Sequence, residues 1–211
     1  MCARMCLIQQ YVDCPAGKTD HAAGLASESR YHTSMKVELV RHPSCPPDSV
    51  QRVKVRIARS SQTLELCYNL LGEMRDLALP MPHQSRRRDE LWKTTCFEAF
   101  IKPQGGEAYL EFNFSPTTDW ASYHFTAYRE GMRDAETTPS VEVDRGWGFF
   151  DLIATIPLGS ELRADQSWRL GLSAITEIGG TKSYWALAHP QGKPDFHHAD
   201  SFAIDLPPEQ T

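Results

Sequence analysis

Apolar and polar residues alternate along most of the chain, and a period of two residues is typical of β-strands with one buried face. The clearest case lies in the aromatic segment 91–128, LWKTTCFEAFIKPQGGEAYLEFNFSPTTDWASYHFTAY. There Phe97 and Ile101 fall on one face of a predicted strand and Glu98 on the other. In the strand that follows, Leu110 shares a face with two phenylalanines. The segment therefore predicts a meander of strands.

Similar alternation recurs before and after this segment, between turns rich in Gly, Pro and Asp. It predicts about ten or eleven strands, near residues 35–40, 50–58, 63–70, 96–102, 109–115, 122–127, 140–144, 148–156, 167–176, 183–187 and 202–206. Only residues 158–163 suggest a turn of helix. Many short strands with few helices predict an all-β, antiparallel β-sandwich or jelly roll.

The alternation divides the chain into three parts. Residues 1–34 have no strand or helix period and predict a disordered extension, residues 35–206 form one predicted domain, and residues 207–211 form a tail. Met35 opens the first alternating segment, which suggests the hypothesis that Met35 rather than Met1 is the native start. Mass spectrometry of the native N-terminus tests that hypothesis.

Composition and charge narrow the classes of partner. The chain has 211 residues, 41% hydrophobic and 23% charged, as is usual for a globular domain. A net charge of −5 argues against general affinity for nucleic acid or for anionic membranes. The basic run Arg86-Arg87-Arg88 is followed at once by two acidic residues, which is typical of a solvated loop.

Targeting signals and cysteine spacing bear on the compartment. The N-terminal residues lack the apolar core of a secretory signal, and no stretch approaches the ~20 apolar residues of a spanning helix. The six cysteines show no C-x-x-C spacing. Scattered cysteines without a signal indicate reduced thiols, so we expect a cytoplasmic protein.

No catalytic motif of a common enzyme class is present, neither G-x-S-x-G, H-E-x-x-H, a P-loop nor G-x-G-x-x-G. Glu98 and Glu111 share a face of adjacent predicted strands and resemble the carboxylate pair of a glycosidase, but such pairs are more often exposed strand residues. Cys96 shares that face, where a neighbouring carboxylate disfavours a reactive thiolate. An enzyme is therefore not the favoured interpretation, and no cofactor is expected.

One cluster near the C-terminus has the composition of a metal site: Asp195, His197, His198 and Asp200, with His189 upstream. Adjacent residues of an extended segment point to opposite faces, so His197 and His198 share an ion only if the backbone turns. Pocket lining and packing within a loop are both favoured over metal binding. No metal site is therefore predicted, and His197 is a candidate ligand contact.

Three longer motifs in chain order carry a resemblance to a known family. They are ELWKTTCFEAF, YLEFNFSP and SYWALAHPQGKPDFHH, with Ile153–Leu158 between the last two. In this order they resemble the DOMON-like superfamily, and more narrowly the bacterial DOMON-like proteins within it. A shorter and more degenerate match resembles the family 9 carbohydrate-binding modules, which are relatives of that superfamily. The resemblance covers most of residues 35–206.

That resemblance implies an Ig-like or jelly-roll β-sandwich that binds a ligand without transforming it. In family 9 modules two aromatic side chains clamp a saccharide, and these positions correspond to Trp92 and Phe196 here, although the family favours Trp where this chain has Phe196. Glu98 and Asn113 correspond to polar contacts with the ligand. Trp185 is assigned either to a pocket or to the core.

The sequence therefore predicts a small-molecule ligand, a saccharide or another polyhydroxylated compound, with aromatic rings for stacking and carboxylate or amide groups for hydroxyls. Two alternatives remain open. One is a protein-interaction module using a sheet edge or face. The other is a haem-binding DOMON-type domain, for which no Met/His pair could be aligned.

Overall fold

The computed structural model describes residues 33–208. The predicted extension 1–34 therefore lies outside the described residues except for Thr33 and Ser34, which begin the first strand two residues before the expected start. Of the predicted tail, residues 209–211 also lie outside the described part. Within residues 33–208, no helix is long and apolar enough to cross a membrane.

Twelve strands make up the described part of the chain. They are β1 (Thr33–Arg41), β2 (Val50–Arg59), β3 (Thr63–Gly72), β4 (Cys96–Pro103), β5 (Tyr109–Phe114), β6 (Trp120–Phe125), β7 (Arg133–Asp134), β8 (Ser140–Arg145), β9 (Phe149–Pro157), β10 (Trp168–Ile178), β11 (Thr181–Ala186) and β12 (Ile204–Leu206). Short 3₁₀ helices cover Met74–Asp76, Leu91–Lys93 and Ala199–Ser201. The predicted all-β antiparallel sandwich is thereby confirmed. The turn of helix suggested near residues 158–163 is wrong, because residues 159–162 form bends and their neighbours have no regular structure.

The strands form two layers that share one strand. Sheet A has the order β1-β2-β3-β9-β8, and sheet B the order β11-β10-β4-β5-β6-β7, with β12 beside the start of β10. Every pairing between these strands is antiparallel. Strand β1 pairs with β2 along residues 33–39 and then, at Val40 and Arg41, with β11. The layers are therefore one continuous hydrogen-bonded sheet folded over.

The main hydrophobic core lies between the two layers, on what we call their inner faces. Phe97 of sheet B contacts Tyr68 and Phe150 of sheet A, with ring centroids 5.3 and 5.8 Å apart. The Tyr68 hydroxyl donates a hydrogen bond to the main-chain carbonyl of Glu98 at 2.7 Å. Phe97, Leu110 and the phenylalanines of β5 lie in this core, as their alternation predicts.

A buried arginine closes the end of the core near the C-terminus. The guanidinium of Arg59 lies 3.4 Å from the ring centroid of Trp168. It donates hydrogen bonds to the main-chain carbonyls of Ala164 at 2.7 Å and Gln166 at 2.8 Å, and to that of Leu206. Trp168 is itself fully buried, as its alternation with the leucines of β10 predicts. Arg59 thus joins β2 to the loop before β10 and to the C-terminal strand.

Candidate functional site

The outer face of sheet B is covered, unlike that of an ordinary half-buried sheet. All six residues of β5 are buried, as are the first six of β4, so both faces of these strands are shielded from solvent. The apolar part of the cover and of the face beneath it forms a second cluster, the outer-face cluster: Leu91, Cys96, Phe100, Tyr109, Ala121, Tyr123, Phe125, Ile175, Ala186, Phe196 and Phe202. The prediction of half-buried strands here is therefore wrong, because the segments around Leu91 and Phe196–Phe202 fold over the sheet.

Glu98 lies in the middle of this covered face, in a row with two other polar residues. The register places it between Ser173 of β10 and Asn113 of β5. It is 3% exposed, and one carboxyl oxygen accepts a hydrogen bond from the Ser173 hydroxyl at 2.8 Å. Burial, reinforced by the nearby charge of Glu111, raises the pKa of Glu98 to about 8. At neutral pH this carboxyl is therefore mostly protonated.

Glu111 and Asn113 form the next pair on the same face. The amide nitrogen of Asn113 donates to a carboxyl oxygen of Glu111 at 2.7 Å, and Asn113 is only 1% exposed. Burial raises the pKa of Glu111 to about 7, against the opposing effect of this hydrogen bond. Cys96 lies beside Asn113, its sulfur 3.6 Å from the amide oxygen, and burial raises the pKa of its thiol well above the usual range. A reactive thiolate is thereby disfavoured.

His197 connects this buried pair to the surface. Its Nδ1 lies 2.7 Å from the Tyr109 hydroxyl, which also accepts a hydrogen bond from the Arg129 main-chain N–H at 3.2 Å. The hydroxyl and Nδ1 share one hydrogen bond, and the other ring nitrogen, Nε2, lies 3.7 Å from a carboxyl oxygen of Glu111. Burial, together with the charge of Arg129, lowers the pKa of His197 to about 4. The imidazole is therefore neutral.

The network of buried polar groups reaches solvent at Asp195. One carboxylate oxygen accepts a hydrogen bond from Arg129 at 2.8 Å and the other accepts one from the Tyr128 hydroxyl at 2.6 Å. Although partial burial opposes it, these bonds hold the pKa of Asp195 below its usual range. An open depression of about 660 Å³ lies here, with Tyr128 half exposed at 51%. Its lining is polar and of mixed charge: Arg129, Pro190, Gln191, Lys193, Pro194, Asp195, His198 and Asp200.

Trp92 lies at the other end of the same face. It belongs to the 3₁₀ helix Leu91–Lys93, which contacts β4 and β5 and inserts Leu91 into the outer-face cluster. The indole of Trp92 is 48% exposed, with the Lys93 ammonium 5.8 Å from its ring centroid. Since Phe97 pairs with Phe114, this helix sits near the end of β5 opposite to Tyr109. Two exposed aromatic rings, of Trp92 and Tyr128, therefore mark opposite ends of the face.

The structure does not support the predicted two-ring clamp. Phe196 is only 9% exposed and packs in the outer-face cluster against Tyr184 and His189, with ring centroids 6.2 and 6.4 Å away. A buried ring has no open face on which a sugar could stack. Trp185 lies on the inner face, in the main core, where its indole N–H donates to Thr176 at 3.1 Å. Trp185 therefore lies outside the candidate site.

Glu98 and Asn113 lie side by side on this face and are buried, and His197, whose side chain is 15% exposed, lies close to Glu111. Tyr109, Tyr128 and Arg129 also belong to the site, and none of them was predicted from the sequence. Tyr128 ends the aromatic segment and is followed by a cationic residue, the one local signal that pointed to it. The contacts with Asp195 bridge 66 or more residues of sequence, so no local pattern reveals them.

The arrangement has consequences for catalysis and metal binding. Glu98 and Glu111 lie diagonally across adjacent strands, as a carboxylate pair would, but they are buried rather than exposed. Within residues 33–208, no group of three or more His, Cys, Asp and Glu side chains is arranged to hold a metal ion.

Comparisons with known proteins bear on the fold. No protein-family model and no curated protein matches the chain. Among solved structures, a protein from Bacteroides uniformis ATCC 8492 proposed to bind carbohydrate is 16% identical, with a TM-score of 0.56 over 80% of this chain and 83% of that one. Family 9 carbohydrate-binding modules from Caldicellulosiruptor kristjanssonii are also similar. The one in complex with glucose is 9% identical (TM-score 0.48, covering 80% and 81%), and the one in complex with cellotriose is 10% identical (TM-score 0.44, covering 71% and 70%). At these identities the likeness concerns the fold alone.

Proposed function

We propose that this chain is a carbohydrate-binding module without catalytic activity, and that a saccharide binds on the outer face of sheet B at the depression beside Tyr128. The observation that carries the proposal is the pair of hydrogen bonds that fixes Asp195 between Arg129 and the Tyr128 hydroxyl. A carboxylate and a guanidinium held side by side present acceptors and donors to adjacent hydroxyl groups. A half-exposed tyrosine offers an apolar ring face next to them.

The buried polar groups supply rigidity rather than ligand contacts. The His197 ring is hydrogen-bonded to the Tyr109 hydroxyl and the His197 main-chain N–H donates to Asp195 at 3.2 Å, so the Asp195 loop is tied to β5 from below. Tyr109 in turn stacks on Phe125, with ring centroids 4.8 Å apart and ring planes at 5°. A preorganised site loses little entropy when a ligand binds. Glu98 and Asn113 are thus proposed to support the site from within the sheet.

The open form of the depression agrees with saccharide binding. A polar, shallow surface suits a ligand that stays partly hydrated, whereas a drug-like apolar ligand prefers an enclosed, apolar pocket. Trp92, half exposed at the far end of the face, is proposed as a second stacking ring for a longer ligand. The carbohydrate binding proposed for the similar Bacteroides protein supports the same class of ligand.

A glycan array followed by titration calorimetry with the best saccharide, and with glucose and cellotriose, tests the proposal. Tyr128→Ala should weaken binding about five- to thirtyfold, as expected when an aromatic contact worth 1–2 kcal/mol is removed. Trp147→Ala is the matched control, because Trp147 is almost fully exposed in the β8–β9 turn of the other sheet and should not affect affinity.

Two results would overturn the proposal: no saccharide bound by the wild type, or unchanged affinity in both Tyr128→Ala and Trp92→Ala. A Soret band after haem addition, or a stoichiometric protein partner captured without any saccharide, would support the haem-binding or protein-interaction alternative instead.

A further inference from the structure

Asp119, at the end of the β5–β6 turn, is a buried carboxylate with an unusual environment. It is 0% exposed, and no group among the described residues donates a hydrogen bond to either of its carboxyl oxygens. A buried carboxylate without hydrogen bonds is energetically costly, and such groups generally have partners. Two acceptor atoms at one position are therefore available to a hydrogen-bond donor.

Two basic side chains, those of His83 and Arg86, approach Asp119 without a hydrogen bond to it. His83 Nε2 lies 3.4 Å from one oxygen, and Arg86 Nε lies 3.9 Å from the other. The other ring nitrogen of His83 pairs with the Gln84 carbonyl at 2.9 Å, so it must carry a proton. The remaining ring nitrogen, Nε2, is the one directed at the Asp119 carboxylate. A ligand with two donor hydrogens can approach this nitrogen and the carboxylate together.

The backbone around this group is fixed. The His83 main-chain N–H donates to the Thr117 carbonyl at 3.2 Å, and the Thr118 hydroxyl donates to the His83 carbonyl at 2.8 Å. The Ser85 hydroxyl donates to the Thr118 carbonyl at 2.7 Å. A depression of about 510 Å³ lies over residues 83–86. Asp119 thus lies directly behind this hollow, whose lining includes the exposed side chain of Arg86.

The charges around Asp119 select the class of ligand. A metal ion or an organic cation is disfavoured by the guanidinium of Arg86 at 3.9 Å, and an anion is disfavoured by the carboxylate itself. A neutral compound with adjacent hydroxyl groups is repelled by neither charge, because its hydroxyls donate to Asp119 while its oxygens accept from Arg86.

We propose that Asp119, His83 and Arg86 form a second binding site, for a neutral ligand with two neighbouring hydroxyl groups. The proposal rests on the proposed function in that the ligand class is the same, but the residues are different. Two hydroxyls of a vicinal diol donate to the two oxygens of Asp119 or to Asp119 and His83 Nε2. The Arg86 side chain swings outward to admit the ligand and then donates to it.

The test is an NMR titration of the full chain with glucose, cellotriose and myo-inositol, following the His83 ring nitrogens and the Tyr128 ring signals together. We expect the His83 Nε2 signal to shift on addition of at least one compound, and Arg86→Gln to weaken that response about tenfold. Arg88→Gln, an exposed arginine of the same loop, is the matched control and should respond like the wild type. Asp119→Asn, checked for folding by its backbone spectrum, should abolish the shift.

The two proposals fail in different ways. Movement of the Tyr128 signals with an unchanged His83 would overturn this second site and leave the proposed function intact. Movement of His83 alone would support the second site and contradict the site placed at Tyr128. The inference is overturned if His83 responds to none of the three compounds, or if Arg86→Gln responds like the wild type. Arg86→Gln is a suitable variant because the Arg86 side chain is exposed, so its replacement should leave folding unaffected.

Discussion

The carboxyl of Glu98 should make the stability of this protein fall as the pH rises from about 5 to about 8. The folded-state pKa of Glu98 is raised to about 8 from an ordinary value of 4.5, chiefly because the carboxyl is buried and secondly because Glu111 is close. Below pH 4.5 the carboxyl is protonated in both the folded and the unfolded chain. Between pH 4.5 and 8 the unfolded chain ionises while the folded chain keeps its proton, which favours unfolding.

The magnitude follows from the distance between the two pKa values. At 1.36 kcal/mol per pKa unit, Glu98 should cost on the order of 3–5 kcal/mol of the free energy of unfolding by pH 8 or above. For a domain of this size each kcal/mol changes Tm by about 2–4 °C, so the fall in Tm between pH 5 and pH 8 should be roughly 6–20 °C. Glu111, with a pKa raised to about 7, lowers the stability in the same direction, but its contribution is complete at a lower pH than that of Glu98.

Glu98→Gln isolates this effect. The glutamine keeps an oxygen that can accept from Ser173 but cannot ionise. We expect the variant to match the wild type near pH 5 and to exceed its free energy of unfolding by several kcal/mol above pH 8, with a pH dependence that ends near pH 7. Urea unfolding, followed by tryptophan fluorescence from pH 5 to 9, measures the free energy of unfolding of both proteins and its dependence on pH. Glu142→Gln, at an exposed position of β8, is the control and should follow the wild type.

The reasoning is refuted if Glu98→Gln shows the same dependence on pH as the wild type, or if it is less stable than the wild type above pH 8. Either outcome would mean that Glu98 is ionised in the folded protein at neutral pH.

Two further changes test how the fold is held together. Arg59→Met should lower the free energy of unfolding by about 3 kcal/mol or more, because several buried carbonyls lose their donor. Arg52→Met, which breaks an exposed ion pair with Glu38, should cost less than about 1 kcal/mol in the same urea titration. Gly72→Ala should destabilise the domain in thermal unfolding because φ is +144° there and an added Cβ would lie 2.1 Å from the Ser49 carbonyl oxygen. Gly106→Ala, where a Cβ meets nothing within 4 Å, should leave Tm nearly unchanged, and equal effects of the two alanines would contradict this explanation.

The layers of the fold could be predicted from the sequence because the longer strands each show a period of two residues. The alternation predicts that Phe97 and Leu110 lie on the inner face, and the structure places both in the main core. Strand β7 has two residues, too few to show any period, and was not predicted. Arg59 has no local signal of burial, since its partners lie more than 100 residues away.

The site was less predictable than the fold for a physical reason. Alternation shows that Glu98 faces away from the core, but it cannot show whether a distant loop covers that face. Here the segment that contains Phe196 does so. An exposed position and a covered one have the same sequence pattern, so Glu98 was expected to meet the ligand directly. Trp185 was left open for the same reason, and the pairing with Ala174 settles its face.

Strand β1 gives this architecture a particular vulnerability. It completes sheet A through its pairing with β2 and sheet B through Val40 and Arg41 beside β11. Displacement of that single strand would therefore uncover two unpaired sheet edges at once, one in each layer. An uncovered sheet edge can pair with a strand of another chain, and the strand that best fits the edges of both β2 and β11 is β1 of a second copy. The strand that makes the two layers one sheet is thus also the element through which two molecules could exchange segments.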